Sequence, residues 1–203
     1  MQLRISQLAE STRVLGPGDR AVIWVHGCCF QCPGCLAQLY KEGPFQSYTP
    51  RQLADWFLQT NAQGLTVSGG EPMLQAGALA QVIRLIRQDR PVGVIVYTGF
   101  VYEQLLEKND PDIRALLEQV DVLIDGPYIR ELDDGIPYRG SSNQRILALT
   151  DRYREELDTY YVKTVGRKIE IDANTKRTMM VGIPDSRQLA IWNAIKSKGR
   201  NTK

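Results

Sequence analysis

All four cysteines of the 203-residue chain stand in one short segment, His26-Gly27-Cys28-Cys29-Phe30-Gln31-Cys32-Pro33-Gly34-Cys35. Counted from Cys28 the spacing is C-x3-C-x2-C; counted from Cys29 it is C-x2-C-x2-C. A disulfide framework would spread its cysteines along the chain, so this crowding points to metal binding or catalysis. Thiolates bind zinc or iron-sulfur clusters, and a closed structural site takes four protein ligands. A ferredoxin-type run begun at Cys29 needs its fourth cysteine where Leu39 stands. A zinc knot would need all four thiols, or three thiols and His26, and adjacent Cys28 and Cys29 fit poorly around one tetrahedral ion. Three thiolates on a four-iron cube leave one iron without a protein ligand, and an open metal position lets a site act on a bound molecule.

Three further words carry chemistry. Ser68-Gly69-Gly70-Glu71-Pro72 has glycines that let the backbone approach a ligand closely and a carboxylate able to accept hydrogen bonds from an ammonium group. By itself it also reads as a tight turn between a strand and a helix. Tyr97-Thr98-Gly99-Phe100 offers the Thr98 hydroxyl, or simply ends a strand. Asp125 closes the apolar run 122–124, and a carboxylate in that place faces the same edge as the other words.

The elements that must position these words alternate. Residues 21–25 (AVIWV), 65–67, 92–97 and 122–124 read as strands. Between them lie helical patterns: one from Pro50, with Thr49 as N-cap and Leu53, Trp56 and Phe57 on one face; one over 73–88, with Leu79, Val82, Ile83 and Ile86; and one over 113–120. Such alternation predicts an α/β fold with a parallel sheet, in which ligands collect at the carboxyl ends of the strands. Each chemical word follows a predicted strand, so all of them should meet on one rim. Further on, 145–149 reads as a strand, 168–171 and 179–181 as a hairpin around Asn174, and 185–196 as a closing helix.

Composition excludes other classes. With a net charge of +2, scattered basic residues and a short basic tail (Lys196, Lys198, Arg200, Lys203) that reads as a solvated terminus, the chain shows no footprint for nucleic acid. No segment has the roughly 18 apolar residues of a membrane span, and the first ten residues lack a secretory leader pattern, so the expected location is cytoplasmic. The length suits one domain with a modest appendage.

With the cysteine segment and the Gly69-Gly70-Glu71 turn together, the chain resembles the radical S-adenosylmethionine superfamily, whose hallmark is C-x3-C-x2-C in a loop after the first strand of a partial (β/α)6 TIM-like barrel. Within it, Cys32-Pro33-Gly34-Cys35, the run Asp121 to Tyr128 (DVLIDGPY) and the run Arg139 to Arg145 (RGSSNQR) are similar to the activating proteins of anaerobic ribonucleotide reductases, with Tyr138 where tryptophan is common. The resemblance implies a [4Fe-4S] cluster on Cys28, Cys32 and Cys35, with Cys29 spare. It implies S-adenosylmethionine held by Ser68, Gly69, Gly70 and Glu71, with Thr98 and Asp125 in the pocket and Gly34 where many relatives place an aromatic residue beside the adenine. The implied reaction is reductive cleavage to a 5′-deoxyadenosyl radical that installs a glycyl radical on a partner enzyme, fed by flavodoxin or ferredoxin. A radical enzyme acting on a peptide or small molecule, and a non-catalytic zinc or iron-sulfur module, are the alternatives. The implied division is a core, 1–150, and a C-terminal extension, 151–203, packing on it.

Overall fold

The structure, a computed structural model, describes residues 1–162, 166–173 and 178–199. Strand β2 (Arg20–Val25), β4 (Gly64–Gly69), β5 (Gly93–Tyr97) and β6 (Val122–Asp125) are the predicted strands, and they pair in parallel in that order. Strand β1 (Leu3–Ala9), between β2 and the edge strand β3 (Gln46–Tyr48), had no predicted counterpart, and neither had β3. With β7 (Arg145–Ala148) they complete a seven-stranded sheet of order β3-β1-β2-β4-β5-β6-β7, in which β1, β3 and β7 run antiparallel to their neighbours. The fold is thus mixed α/β. Of the partial barrel implied by resemblance, the sheet holds a parallel centre of four strands, and β7 joins β6 antiparallel where a further βα repeat would continue in parallel.

The helices follow the apolar periodicity. Helix α2 (Pro50–Gln59) starts at a capping box, in which Thr49 accepts from the Gln52 amide and the Gln52 side chain accepts from the Thr49 amide. A short 3-10 turn, Pro72–Gln75, precedes the predicted long helix, here α3 (Ala76–Asp89). The pattern over 113–120 forms α5 (Pro111–Leu117), after a short α4 (Tyr102–Glu107), and a five-residue α1 (Gln38–Glu42) follows the cysteines. Leu53 and Phe57 of α2, Leu79, Val82, Ile83 and Ile86 of α3, and Leu116 of α5 pack with Ala21, Ile23, Val25, Leu65, Val67, Val94, Val96 and Leu123. These are alternate residues of the strands, all from one face of the sheet. Each fully buried side chain of this size stabilises by about 1.5–3 kcal/mol.

The opposite face carries Val22, Trp24, Ile95, Val122 and Ile124, and later chain covers it. Helix α6 (Arg154–Val162) sends Leu157 against Ile95, Val122 and Ile124. The predicted hairpin is present as β8 (Ile169–Ala173) and β9 (Thr178–Gly182), with Met179 and Val181 packing on Val22 and Trp24. Its turn, expected around Asn174, lies outside the described residues, as do the side chains of the basic tail. Helix α7 (Ser186–Gly199) follows the hairpin. Among the described residues no helix is long and apolar enough to cross a membrane.

Candidate cluster and cofactor site

The register of the parallel strands brings the chemical words to one rim. Val25 lies opposite Gly69, Val67 opposite Val96, and Tyr97 opposite Ile124. The turn after β4 is stitched to the end of β2, since the Gly70 amide donates to the Val25 carbonyl and the Glu71 amide to the Gly27 carbonyl, both at 2.8 Å. Gly70 has to be glycine, because a Cβ there would stand 1.9 Å from the Gly27 oxygen. Gly69 adopts φ +105°, a left-handed conformation that side chains resist. The tight βα turn and the ligand cradle are therefore one object.

Below the rim lies a cavity of about 230 Å³. Cys28, Cys32 and Cys35 line it, together with Ser68, Gly69, Gly70, Glu71 and Thr98, whereas Cys29 is exposed. The Phe30 amide donates to the Cys28 sulfur at 3.4 Å, and the Cys35 amide closes a turn onto the Cys32 carbonyl. Burial pushes the Cys28 and Cys35 thiols above their ordinary range, so a cation arriving there must displace protons. Among the described residues no three His, Cys, Asp or Glu side chains converge closely enough to surround one metal ion. Thiolates on separate corners of a cube stand farther apart than ligands crowded on a single ion. Three thiols opening on one cavity, beside a turn whose Gly70 leaves no room for a side chain, are a donor set suited to such a group.

Glu71 is almost wholly buried, and its carboxylate is engaged by the protein. Oε1 accepts from the Met73 amide at 2.9 Å and the Thr98 hydroxyl at 2.8 Å, and Oε2 accepts from the Gly99 amide at 2.8 Å. It thereby ties the end of β4 to the end of β5, and burial pushes its carboxyl up to about 7. The Thr98 hydroxyl, spent on Glu71, also accepts from the Phe100 amide. Two expected cofactor residues stand outside the cavity lining. The buried Asp125 carboxylate takes a two-pronged grip from Arg145 and accepts from the Tyr102 amide at 2.7 Å. Gly34, at φ +71°, gives way to Arg130, whose Nε would lie 2.6 Å from a Cβ there. Strand β6 ends at Asp125, where the apolar run predicts an end, but Arg145 of β7 engages its carboxylate away from the cavity.

Other lining residues were missed. Phe30, Leu36 and Tyr40 belong to the cysteine loop and its helix, and Trp24 and Tyr97 to the inner sheet face. Tyr128, Gly140 and Gln144 come from the two runs after β6. Gln144 donates to the Gly126 carbonyl and accepts from the Gly140 amide, while Asn143 donates to the Pro127 carbonyl. The RGSSNQR run thus locks the loop after β6 in place. Trp24 stood in the predicted strand 21–25, a continuous apolar run with no alternation to single it out; Met180, Ile183, Pro184 and Leu189 carried no signal.

The family model described as "4Fe-4S single cluster domain" matches residues 14–147. The anaerobic ribonucleoside-triphosphate reductase-activating protein of Vibrio cholerae serotype O1 is 34% identical over 148 residues, covering 68% of this chain and 92% of that one. The protein of the same name from Enterobacteria phage T4 is 32% identical over 145 residues, 68% of this chain and 89% of its own. The pyruvate formate-lyase 1-activating enzyme of Escherichia coli is 26% identical over 158 residues, 71% of this chain and 59% of that enzyme. The crystal structure of QueE from Escherichia coli superposes on 49% of this chain and 53% of its own, with a TM-score of 0.41 and 15% identity. The chain belongs to the 4Fe-4S single cluster domain family, as a radical S-adenosylmethionine domain resembling the anaerobic ribonucleotide reductase-activating proteins.

Proposed function

We propose that the chain activates a glycyl radical enzyme of the anaerobic ribonucleotide reductase type, holding a [4Fe-4S] cluster on Cys28, Cys32 and Cys35. The observation that carries this reading is the sharing of one cavity by those three thiols and the Ser68-Gly69-Gly70-Glu71 turn, with Cys29 outside. When bound, the cluster and S-adenosylmethionine supply the chemistry, an electron and a sulfonium whose reductive cleavage gives methionine and a 5′-deoxyadenosyl radical. The chain's own part is binding and exclusion. Ser68, Gly69 and Gly70 present backbone to the cofactor. Glu71 and Thr98 hold the ends of β4 and β5 at fixed separation. Gly34 and Asp125, expected at the cofactor, stand behind the lining in this reading, Gly34 leaving room for Arg130 and Asp125 fixing the end of β6 through Arg145 and the Tyr102 amide. Apolar Trp24, Phe30 and Leu36 keep water from a reactive intermediate.

The reading includes a core over 1–150, an extension over 151–203, a cytoplasmic setting and a flavodoxin or ferredoxin reductant. Radical chemistry on a peptide or small molecule is the second reading, favoured by one observation: residues beyond the family match line the cavity. Anaerobic reconstitution with iron, sulfide and dithionite tests the common part, the expected result being a brown protein that releases 5′-deoxyadenosine. A colourless, inert protein would remove both readings. Adding a candidate reductase then divides them, since a glycyl radical doublet in electron paramagnetic resonance supports activation and an altered peptide or small molecule supports the second.

A further inference from the structure

The family match ends at residue 147, but the cavity does not. Met180, Ile183, Pro184 and Leu189 line it on the side where the inner face of the sheet meets the extension. They are held there with some precision. On β9 the side chains alternate, so that Met179 and Val181 bury themselves against Trp24 and Val22 while Met180 between them reaches the cavity. Arg167, whose side chain is 2% exposed, pairs with Asp133 at 2.8 Å and donates to the carbonyls of Ile136, Arg139 and Gly140. Gly140 itself lines the cavity. Gln188 donates to the Arg167 carbonyl, which joins the start of α7 to that knot. Three residues beyond Arg167, near the start of β8, Glu170 accepts from the Thr12 hydroxyl at 2.5 Å and the Arg13 amide at 3.1 Å.

We propose that the extension is a built-in wall of the site, in which Met180, Ile183 and Leu189 set specificity by admitting a slender stretch of polypeptide main chain and turning away branched or charged groups. The wall presents only apolar side chains, so a charged substituent pressed against it would lose its hydration without a partner. A glycine-bearing main chain carries neither bulk nor charge. The substrate class rests on the activation reading above; the size filter itself does not.

The filter is measured on the full-length, metal-free, reduced chain with Cys29→Ala, which removes the exposed thiol. The probes are N-ethylmaleimide and fluorescein maleimide, which share a reactive group and differ in bulk. Modification of Cys28, Cys32 and Cys35 is followed by mass spectrometry, and the ratio of the two rates is referred to the urea-unfolded chain. Discrimination against even small added bulk in an apolar pocket runs to about tenfold or more, and the folded chain should favour the small reagent by at least that. Ile183→Ala with Leu189→Ala should bring the ratio down towards the unfolded value, and Met180→Trp should raise it, with circular dichroism showing that each variant folds. A ratio unchanged in both variants, or no discrimination in the folded chain, would overturn the wall. Reconstitution of the same proteins keeps the two ideas apart: a brown, deoxyadenosine-releasing protein with an unchanged ratio sinks the wall alone, and a shifting ratio without cluster chemistry sinks the activation reading alone.

Discussion

The two faces of the central sheet are covered on different terms. On the outer face, α2, α3 and α5 come from between or beside the strands they cover, and their apolar stripes meet alternate strand residues. The inner face is closed from far along the chain, by Leu157 against Ile95 and Ile124 and by Met179 and Val181 against Val22 and Trp24. Long closures add little entropic cost for their length, but nothing local dictates where the returning chain lands. On this face polar anchors do that: Arg20 to Tyr153, Thr12 to Glu170, and Arg167 to Asp133. The outer face thus follows largely from local periodicity, with polar ties such as Arg90 to the Phe57 and Thr60 carbonyls fastening its helices, and the inner face, with its anchors, shapes the cavity.

The largest expected effect lies at the rim where the faces meet. Cys28→Ala, Cys32→Ala and Cys35→Ala should each abolish the brown charge-transfer absorption after reconstitution, and Cys29→Ala should retain it. Retention in Cys28→Ala with loss in Cys29→Ala would reverse the assignment and break the link between cavity lining and ligation.

Arg20 joins the two regions and should come next. It is fully buried, donating to Thr66 at 2.7 Å, to the carbonyls of Leu65 and Gly93 at 2.7 and 2.9 Å, and to the Tyr153 hydroxyl at 2.8 Å. Arg20→Met leaves several buried acceptors unpaired, at about 1–3 kcal/mol each before relaxation, so a loss of about 3 kcal/mol or more in urea unfolding is expected. A loss below about 1 kcal/mol would show that the inner face does not depend on its anchors.

Glu71 gives a pH-dependent test of how dry the rim is. Folding raises its carboxyl from 4.5 to about 7. Between those values the native chain keeps a proton that the unfolded chain has released, so this group's contribution to stability declines as pH rises through the window. Glu71→Gln carries no such proton. Its Tm relative to wild type should improve from about pH 5 to about pH 8, by up to the equivalent of roughly 3 kcal/mol, and then level off. A difference that stays flat across that range would mean that Glu71 sits in a wetter place than its burial implies.

How much of this was legible follows the same division. The four parallel strands, α2, α3 and the meeting of the chemical words at the strand ends were readable because apolar period and capping residues are local signals, and the glycines after β4 were readable as a tight turn. Strands β1 and β3 were not: β3 is a three-residue edge strand of mostly exposed polar residues, and the alternation of β1 holds only over Leu3 to Ile5 before its register shifts. Asp125 was placed at the right strand end, but its partner Arg145 stands 20 residues away on an antiparallel neighbour whose pairing no spacing announces. Met180, Ile183 and Leu189 look like ordinary apolar residues of a hairpin and a helix, and only the landing of the extension on the inner face makes them part of the cavity.

The smallest expected effect sharpens the comparison by pairing one residue from each face. Thr49 caps α2 on the outer side, and Thr49→Ala removes the acceptor for the Gln52 amide, a loss of about 1 kcal/mol. Tyr153→Phe removes from the inner side one hydroxyl that accepts from buried Arg20, a loss of about 1–3 kcal/mol. Stability alone would barely separate them. Thiol access should, because Thr49→Ala leaves the covering of the inner face intact, while Tyr153→Phe loosens the point at which the extension enters it. The rate ratio for small and bulky maleimides should therefore hold at its wild-type value in Thr49→Ala and fall in Tyr153→Phe. Equal ratios in the two variants would mean that the anchors below the cavity and the wall beside it are independent.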